Sequence, residues 1–257
     1  MQPFSSLSQA FAVAVALALA LTTSTLTIAA TGTCTATSGA TVPAVLELYT
    51  SEGCDSCPPA DRWLSKTVTE RASDTAFIPL AFHVDYWDYI GWKDAFAQPA
   101  FGKRQAALAA GSNASGVYTP QIFVNGREDR SWTAGAKAGG SGVAASVKFS
   151  LVATWLDDSV LLSGRLAEPT NNVRLRYAVT ENGLVTAVKA GENKGVTLRH
   201  DGVVRAHGPV AFDPVNGAFT HTAAVPRTVK RAASRVHLIA EDARGAPLAA
   251  ATVLCSG

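Results

Sequence analysis

The stretch Glu47-Leu-Tyr-Thr-Ser-Glu-Gly-Cys54-Asp-Ser-Cys57-Pro-Pro-Ala-Asp61 sets the reading of the whole chain. Its left flank, Val42–Tyr49, is apolar and β-branched, bounded by Pro43 and Gly53 and interrupted only by Glu47, so it reads as a buried strand. On the right, Pro58 and Pro59 suit the first turn of a helix, where a missing N–H leaves nothing unsatisfied. That helix carries Ala60, Trp63, Leu64 and Val68 on one face and Asp61, Arg62 and Lys66 on others. A Cys-x-x-Cys between strand and helix has a definite chemistry. The first thiol lies near the helix N-terminus, where partial positive charge and free N–H groups favour a thiolate. The second, one turn along, is close enough to attack a mixed disulfide and release the substrate. Cys54 is therefore the attacking candidate and Cys57 the resolving one. Asp55 places a negative charge beside them and opposes part of the helix effect.

Outward from this stretch, Thr75–Val84 reads as a second strand and Pro99–Ala110 as a helix stopped by Gly111. Ile122–Val124 reads as a third strand, ending at the hairpin signal Asn125-Gly126. Strand, helix, strand, helix and strand make a small α/β unit over residues 42–133. Residues 134–146, rich in Gly, Ala and Ser, read as a linker, as do residues 31–41, which show no periodicity. Beyond them the pattern changes to alternating segments at Lys148–Trp155, Ser159–Leu166, Val173–Thr180, Ala218–Val225 and Arg235–Glu241, with turns such as Glu181-Asn-Gly183 between. Short alternating strands of this kind predict an all-β, sandwich-like domain over residues 147–257.

Further motifs carry a family resemblance. Gly116-Val-Tyr-Thr-Pro120-Gln-Ile-Phe-Val-Asn-Gly126, following a strand–Cys-x-x-Cys–helix, resembles the thioredoxin superfamily, and Glu47-Leu-Tyr-Thr-Ser-Glu-Gly-Cys54 is similar to glutaredoxins. That resemblance implies a cis bond at Thr119-Pro120, facing the cysteines and presenting a backbone edge to an extended substrate. With Phe82-His-Val-Asp-Tyr-Trp-Asp-Tyr-Ile-Gly-Trp-Lys-Asp94, Gly191-Glu-Asn-Lys-Gly195 and Val203-Val-Arg205, the chain resembles a family of bacterial secreted proteins known as domain of unknown function 1223, from about Val42 to the end. The resemblance implies a thioredoxin-like fold and a redox site, and it names no substrate. The expected fold class is thus a thioredoxin-like α/β domain followed by an all-β sandwich-like domain.

Several residues admit two readings. Glu47 is either an exposed or strand-end carboxylate, or a partly buried acid of raised pKa that takes up protons during exchange. His83, Asp85, Tyr86, Trp87 and Trp92 form either a substrate-docking wall beside the cysteines or a polar and aromatic cluster that pins an irregular loop. Strand alternation places His83 and Asp85 on one face and Val84 and Tyr86 on the other. Cys54, Cys57, His83 and Asp85 lack the second Cys-x-x-Cys or His pair that would complete a metal site, so no metal or cofactor is assigned. His200, His207, His221 and His237 are scattered and read as ordinary solvated or packed residues.

The ends of the chain point to export. Residues 1–30 contain no Asp, Glu, Lys or Arg and include the apolar run Phe11–Leu21, of signal-peptide length, followed by Ala29 and Ala30. The leader lacks an opening Lys or Arg, and an uncleaved anchor is the competing reading. Of four cysteines, pairing near with near leaves Cys34 to bridge Cys255, against a lipid-modified Cys34 or two free thiols; a bridge implies an oxidising compartment, periplasmic or extracellular. The net charge of +2 on 257 residues, with no basic run, gives no footprint for nucleic acid. The functional expectation is an exported thiol–disulfide oxidoreductase. Cys54, Cys57, Pro120 and Glu47 carry the chemistry, Thr119, Tyr86, Trp87 and Trp92 contact the substrate, and the partner is a thiol- or disulfide-containing protein or small molecule. The alternatives are a binding module with a structural Cys54–Cys57 bond and a metal chaperone using the same thiols.

Overall fold

The computed structural model describes residues 32–255 except Thr75, Asn113, 135–141 and Thr170. The expected leader, residues 1–30, and the core of the expected 134–146 linker lie outside the described residues. Residues 31–257 form one compact unit. Before residue 134 run β1 (Thr33–Thr37), β2 (Ala44–Thr50), α1 (Pro58–Glu70), β3 (Phe77–His83), α2 (Pro99–Gly111), β4 (Gln121–Val124) and β5 (Arg127–Glu128). After it follow β6 (Phe149–Trp155), β7 (Ser159–Leu166), β8 (Arg174–Glu181), β9 (Leu184–Ala187), β10 (Thr197–His200), β11 (Val203–Val210), β12 (Ala218–Ala224), β13 (Ser234–Glu241) and β14 (Pro247–Val253).

Strand far outweighs helix, and the strands of the two halves are not segregated. One eight-stranded sheet runs β14-β13-β8-β11-β3-β2-β4-β5, a four-stranded sheet runs β1-β6-β7-β12, and β9 and β10 form a hairpin. The join is at β3. One edge pairs in parallel with β2, and the other takes β11 in parallel through Ala81 and Val203. This overturns the expected thioredoxin-like α/β domain followed by a β-sandwich-like one. Alternation identifies strands but carries no information about which edge a strand adds to, and β9, β10, β11 and β14 lie outside the alternating segments of the sequence. Residues 33–37 also differ from the expected linker: β1 pairs with β6, turning Cys34 and Ala36 toward the core and Thr33, Thr35 and Thr37 outward.

Three apolar clusters hold the unit together. The four-stranded sheet covers β8, β11, β13 and β14 through residues such as Leu151, Leu162, Phe219, Val179 and Leu238. On the large sheet the two faces of β2 divide by parity. Ala44, Leu46 and Leu48 meet Ala60, Leu64 and Val68 of α1. Val45 and Tyr49 meet Phe82, Phe101 and Leu108, and also Ala178, Val204 and Ile239 from the C-terminal half. At the far end of β4, Asn125 (φ 50°) and Gly126 (φ 76°) make the expected two-residue turn, both in the left-handed region.

Candidate functional site

Where β2 ends, Thr50–Asp55 turns into α1. Cys57 caps the helix, its carbonyl accepting from Ala60 N (2.9 Å) and Asp61 N (3.2 Å), and Pro58 opens the first turn. Cys54 and Cys57 form a disulfide with Cα atoms 5.5 Å apart, and both residues are wholly buried. Ser56 Oγ lies 3.3 Å from Cys54 Sγ. The Thr119-Pro120 bond is cis, and Gln121 directly after it stands opposite Tyr49 in the β2–β4 register. Trp87 links these parts: its indole N–H donates to Thr119 Oγ1 (2.7 Å), and a Cβ on Gly53 would stand 3.4 Å from its Cβ.

The expected proton-handling acid does not lie here. Glu47 has the parity of Tyr49, so it projects to the α2 face, away from α1. There it accepts from Arg104 Nη2 (2.7 Å), Arg104 Nε (2.8 Å), Arg176 Nη2 (2.9 Å) and the Tyr49 hydroxyl (2.8 Å), and both arginines also bond Glu241. Burial alone would push the Glu47 carboxyl up, but the two guanidiniums outweigh it and hold it well below the carboxylate range. The expectation of a raised pKa is thus reversed.

The α1 face holds a different set of titratable groups. His83, which pairs in register with Thr50, shares this face, and its Nδ1 is 2.7 Å from Asp94 Oδ2. Burial disfavours the His83 cation, but Asp94 outweighs it and raises the imidazole's pKa; Asp94 is correspondingly lowered. Asp94 also accepts from Glu52 N (2.9 Å), and Trp92 Nε1 donates to Glu52 Oε2 (2.9 Å). His200 of β10 stands between two carboxylates: its Nε2 is 3.3 Å from Glu52 Oε1 and its Nδ1 is 3.9 Å from Asp61 Oδ2. Asp61 receives a hydrogen bond from Thr50 Oγ1 (3.2 Å), and burial raises its pKa against the partial opposition of His200 and His83. Glu52, Asp61, His83, Asp94 and His200 are all buried. Among the described residues no three His, Cys, Asp or Glu side chains are placed to hold a metal ion.

A strap from the C-terminal half closes over the cysteines. Asn193 Nδ2 donates to the carbonyls of Glu52 (2.9 Å) and Cys54 (2.8 Å), and Glu192 Oε2 accepts from Asp55 N (3.0 Å). Gly191, with φ 74°, lies against Trp92 and Ile90. Of the other expected contacts, Tyr86 donates to Gln105 Oε1 (3.1 Å), with its hydroxyl pKa pushed up to about 12 by burial. Tyr89, which the sequence did not single out, is 81% exposed beside Trp87. Asp85 begins a 3₁₀ turn, Asp85–Ile90, so strand alternation stops at His83. Of the scattered histidines, expected to be solvated or packed, His200 and His237 are fully buried.

Residues 45–240 match the family described as protein of unknown function, DUF1223. The chain belongs to that family. A solved structure of protein AGR_C_4864 from Agrobacterium tumefaciens is similar at 25% identity, covering 84% of this chain and 96% of that one, with a TM-score of 0.54. HBP35 of Porphyromonas gingivalis shares the fold at 15% identity and a TM-score of 0.56, over 84% of this chain and 76% of that one. No curated protein matches. The Cys54–Cys57 turn, His83, Asp94, Asn193 and His200 all fall within the family region. Cys34 and Cys255 fall outside it and form the second disulfide, Cα–Cα 5.6 Å, as near-with-near pairing predicts. Among the described residues no helix is long and apolar enough to cross a membrane.

Proposed function

We propose that this DUF1223 protein is an exported thiol–disulfide oxidoreductase that exchanges electrons with protein or small-molecule thiols at Cys54 and Cys57. The observation that carries the reading is the disulfide at the mouth of a 13-residue helix, with Cys57 as its cap. The helix's free N–H groups and positive end favour the thiolate that attack requires. Cys54 is the attacking sulfur, with Ser56 Oγ beside it, and Cys57 resolves. The backbone edge at Thr119-Pro120 and the exposed aromatics Tyr86 and Tyr89 next to Trp87 supply a surface on which an extended thiol-bearing substrate can lie. Two disulfides and the apolar leader support export to an oxidising compartment.

One observation favours a second reading. Both cysteines are wholly buried and strapped by Asn193, as befits a binding module whose Cys54–Cys57 bond is structural. Equilibration of the folded chain in graded thiol–disulfide buffers separates the two. Exchange predicts that Cys54–Cys57 opens while Cys34–Cys255 stays closed, that the Cys54 thiol titrates below the free value of about 8.5, and that Cys57→Ser traps a mixed disulfide at Cys54. A Cys54 pKa near the free value, with a bond that opens only on unfolding, leaves the structural reading standing.

A further inference from the structure

Opening a disulfide requires protons as well as electrons, and Glu47 is locked by two arginines on the wrong face of the sheet. The α1 face offers a source. Cys57, Asp61, Leu64 and Val68 follow each other at helical spacing along one buried stripe, so the only carboxylate of that stripe belongs to the residue one helical turn beyond Cys57. His200 bridges from Asp61 to Glu52, at 3.9 and 3.3 Å, and its ring lies edge-on to His83, with centroids 4.9 Å apart. Both ring nitrogens of His200, Oε1 of Glu52 and Nε2 of His83 are buried and make no well-aligned hydrogen bond, His200 Nε2 and Glu52 Oε1 being in ion-pair contact only. Buried polar atoms of native proteins are nearly always satisfied, so four unsatisfied ones in a single cluster need a reason. A set of groups that must accept a proton in one redox state and release it in the other supplies one.

Building on the exchange reading, we propose that Asp61 and His200, backed by Glu52, His83 and Asp94, hold the proton that Cys57 takes up when the disulfide opens. A thiolate of a reducing dithiol attacks Cys54 Sγ; a new S–S bond forms, the Cys54–Cys57 bond breaks, and its electron pair leaves on Cys57 Sγ. Asp61, in its neutral form, passes its proton to that sulfur, and His200 relays a replacement along Glu52. The dithiol's second thiolate then attacks its own bridging sulfur and Cys54 leaves with the pair. The partner is oxidised to a disulfide, and the protein is left with a Cys57 thiol and a Cys54 thiolate, which the helix N-terminus favours or solvent protonates. Burial, which raises the Asp61 pKa, keeps the proton in place at a higher pH than an exposed carboxyl would. The groups facing Asp61 are Thr50 and Glu52 from the β2 end, His83 from β3, Asp94 from the following loop and His200 from β10; Arg205 stacks on Phe96, whose ring edges both histidines.

The test uses the oxidised full chain and dithiothreitol from pH 5 to 9. Opening of each disulfide is followed by quenched alkylation and peptide mapping, and rates are divided by the reductant's thiolate fraction. The corrected rate falls as pH rises. Asp61→Asn, which preserves volume and the Thr50 contact, lowers it about a hundredfold or more at pH 6 and flattens the profile; His200→Gln shifts the profile in the same direction. Circular dichroism checks folding, and should Asp61→Asn not fold, His200→Gln and Glu52→Gln decide. Corrected profiles that coincide with wild type in the folded variants overturn the proton assignment while leaving exchange intact. A Cys54–Cys57 bond that dithiothreitol does not open in the folded protein overturns the exchange reading, and this one with it.

Discussion

Glu47 and Arg176 illustrate how much one buried charge depends on its surroundings. Two guanidiniums and a phenol satisfy Glu47, and Arg176 in turn pairs with Glu241, so the network contains four charges whose removal from water is repaid only while the set is complete. Glu47→Gln leaves the two arginines sharing one carboxylate and is expected to cost about 3–5 kcal/mol in urea unfolding. The pH dependence follows from the sign of the shift. The Glu47 carboxyl is lowered in the folded protein, so its contribution is complete above the unfolded value of 4.5 and is lost as pH falls below it. Wild type should therefore lose stability steeply on acidification, and Glu47→Gln less so. A second residue acts in the same direction at milder acidity. Burial pushes His237, held neutral between Thr180 and Thr252, down to about 3. Protons then favour the unfolded chain from 6.5 downward, so His237→Gln should flatten the stability curve between pH 6.5 and 4.5, as read by urea midpoints at each pH.

At the scale of elements, the 191–195 turn between β9 and β10 is bonded directly to the Cys54 turn. Asn193 replaces the absent partners of two carbonyls in the Cys54 turn, and nothing else described bonds those oxygens from outside the turn. Asn193→Ala removes both bonds and should raise the rate at which dithiothreitol opens Cys54–Cys57 several-fold, with little change at Cys34–Cys255; an unchanged rate would show that the strap does not limit access. The strap also marks the limit of what local sequence can say. The elements set by local pattern were legible: α1 from Pro58-Pro59 and its spaced apolar residues, α2 from Pro99, β7 from its partial alternation and the β4–β5 turn from Asn125-Gly126. The Cys-x-x-Cys site was legible for the same reason. Asp61, Asp94, Asn193 and His200 were not, because their meaning lies in partners 11 to 141 residues away, which periodicity does not encode. Glu47 misled because a charge in an apolar strand reveals burial but not which arginines meet it.

For the whole molecule, the decisive feature is that one sheet carries strands from both halves of the chain. The Cys34–Cys255 bridge ties β1 to the residue just beyond β14 across 221 residues, and Cys34→Ser should cost up to about 5 kcal/mol in the chain-entropy account. The more searching consequence concerns residues 42–133, which look from their sequence like an α/β unit able to stand alone. Cut away from the rest, β3 would present the edge now covered by β11, an open apolar strand of the kind folded proteins avoid. Glu47 would keep Arg104 but lose Arg176, and Arg104 would lose Glu241. Tyr49, Phe82 and Phe101 would lose Ala178, Val204, Ile239 and Ala250 from their cluster, and the Cys54 turn would lose Asn193 and His200. Each loss exposes apolar surface or strands a buried charge, set against a domain stability that is ordinarily only about 5–15 kcal/mol. The isolated 42–133 chain should therefore show no near-ultraviolet dichroism and no cooperative melt. The intact chain should unfold in a single transition, with tryptophan emission and far-ultraviolet dichroism coincident. A fragment that melts cooperatively, or two separated transitions in the intact protein, would mean that the sheet's central join at Ala81 and Val203 does not couple the halves.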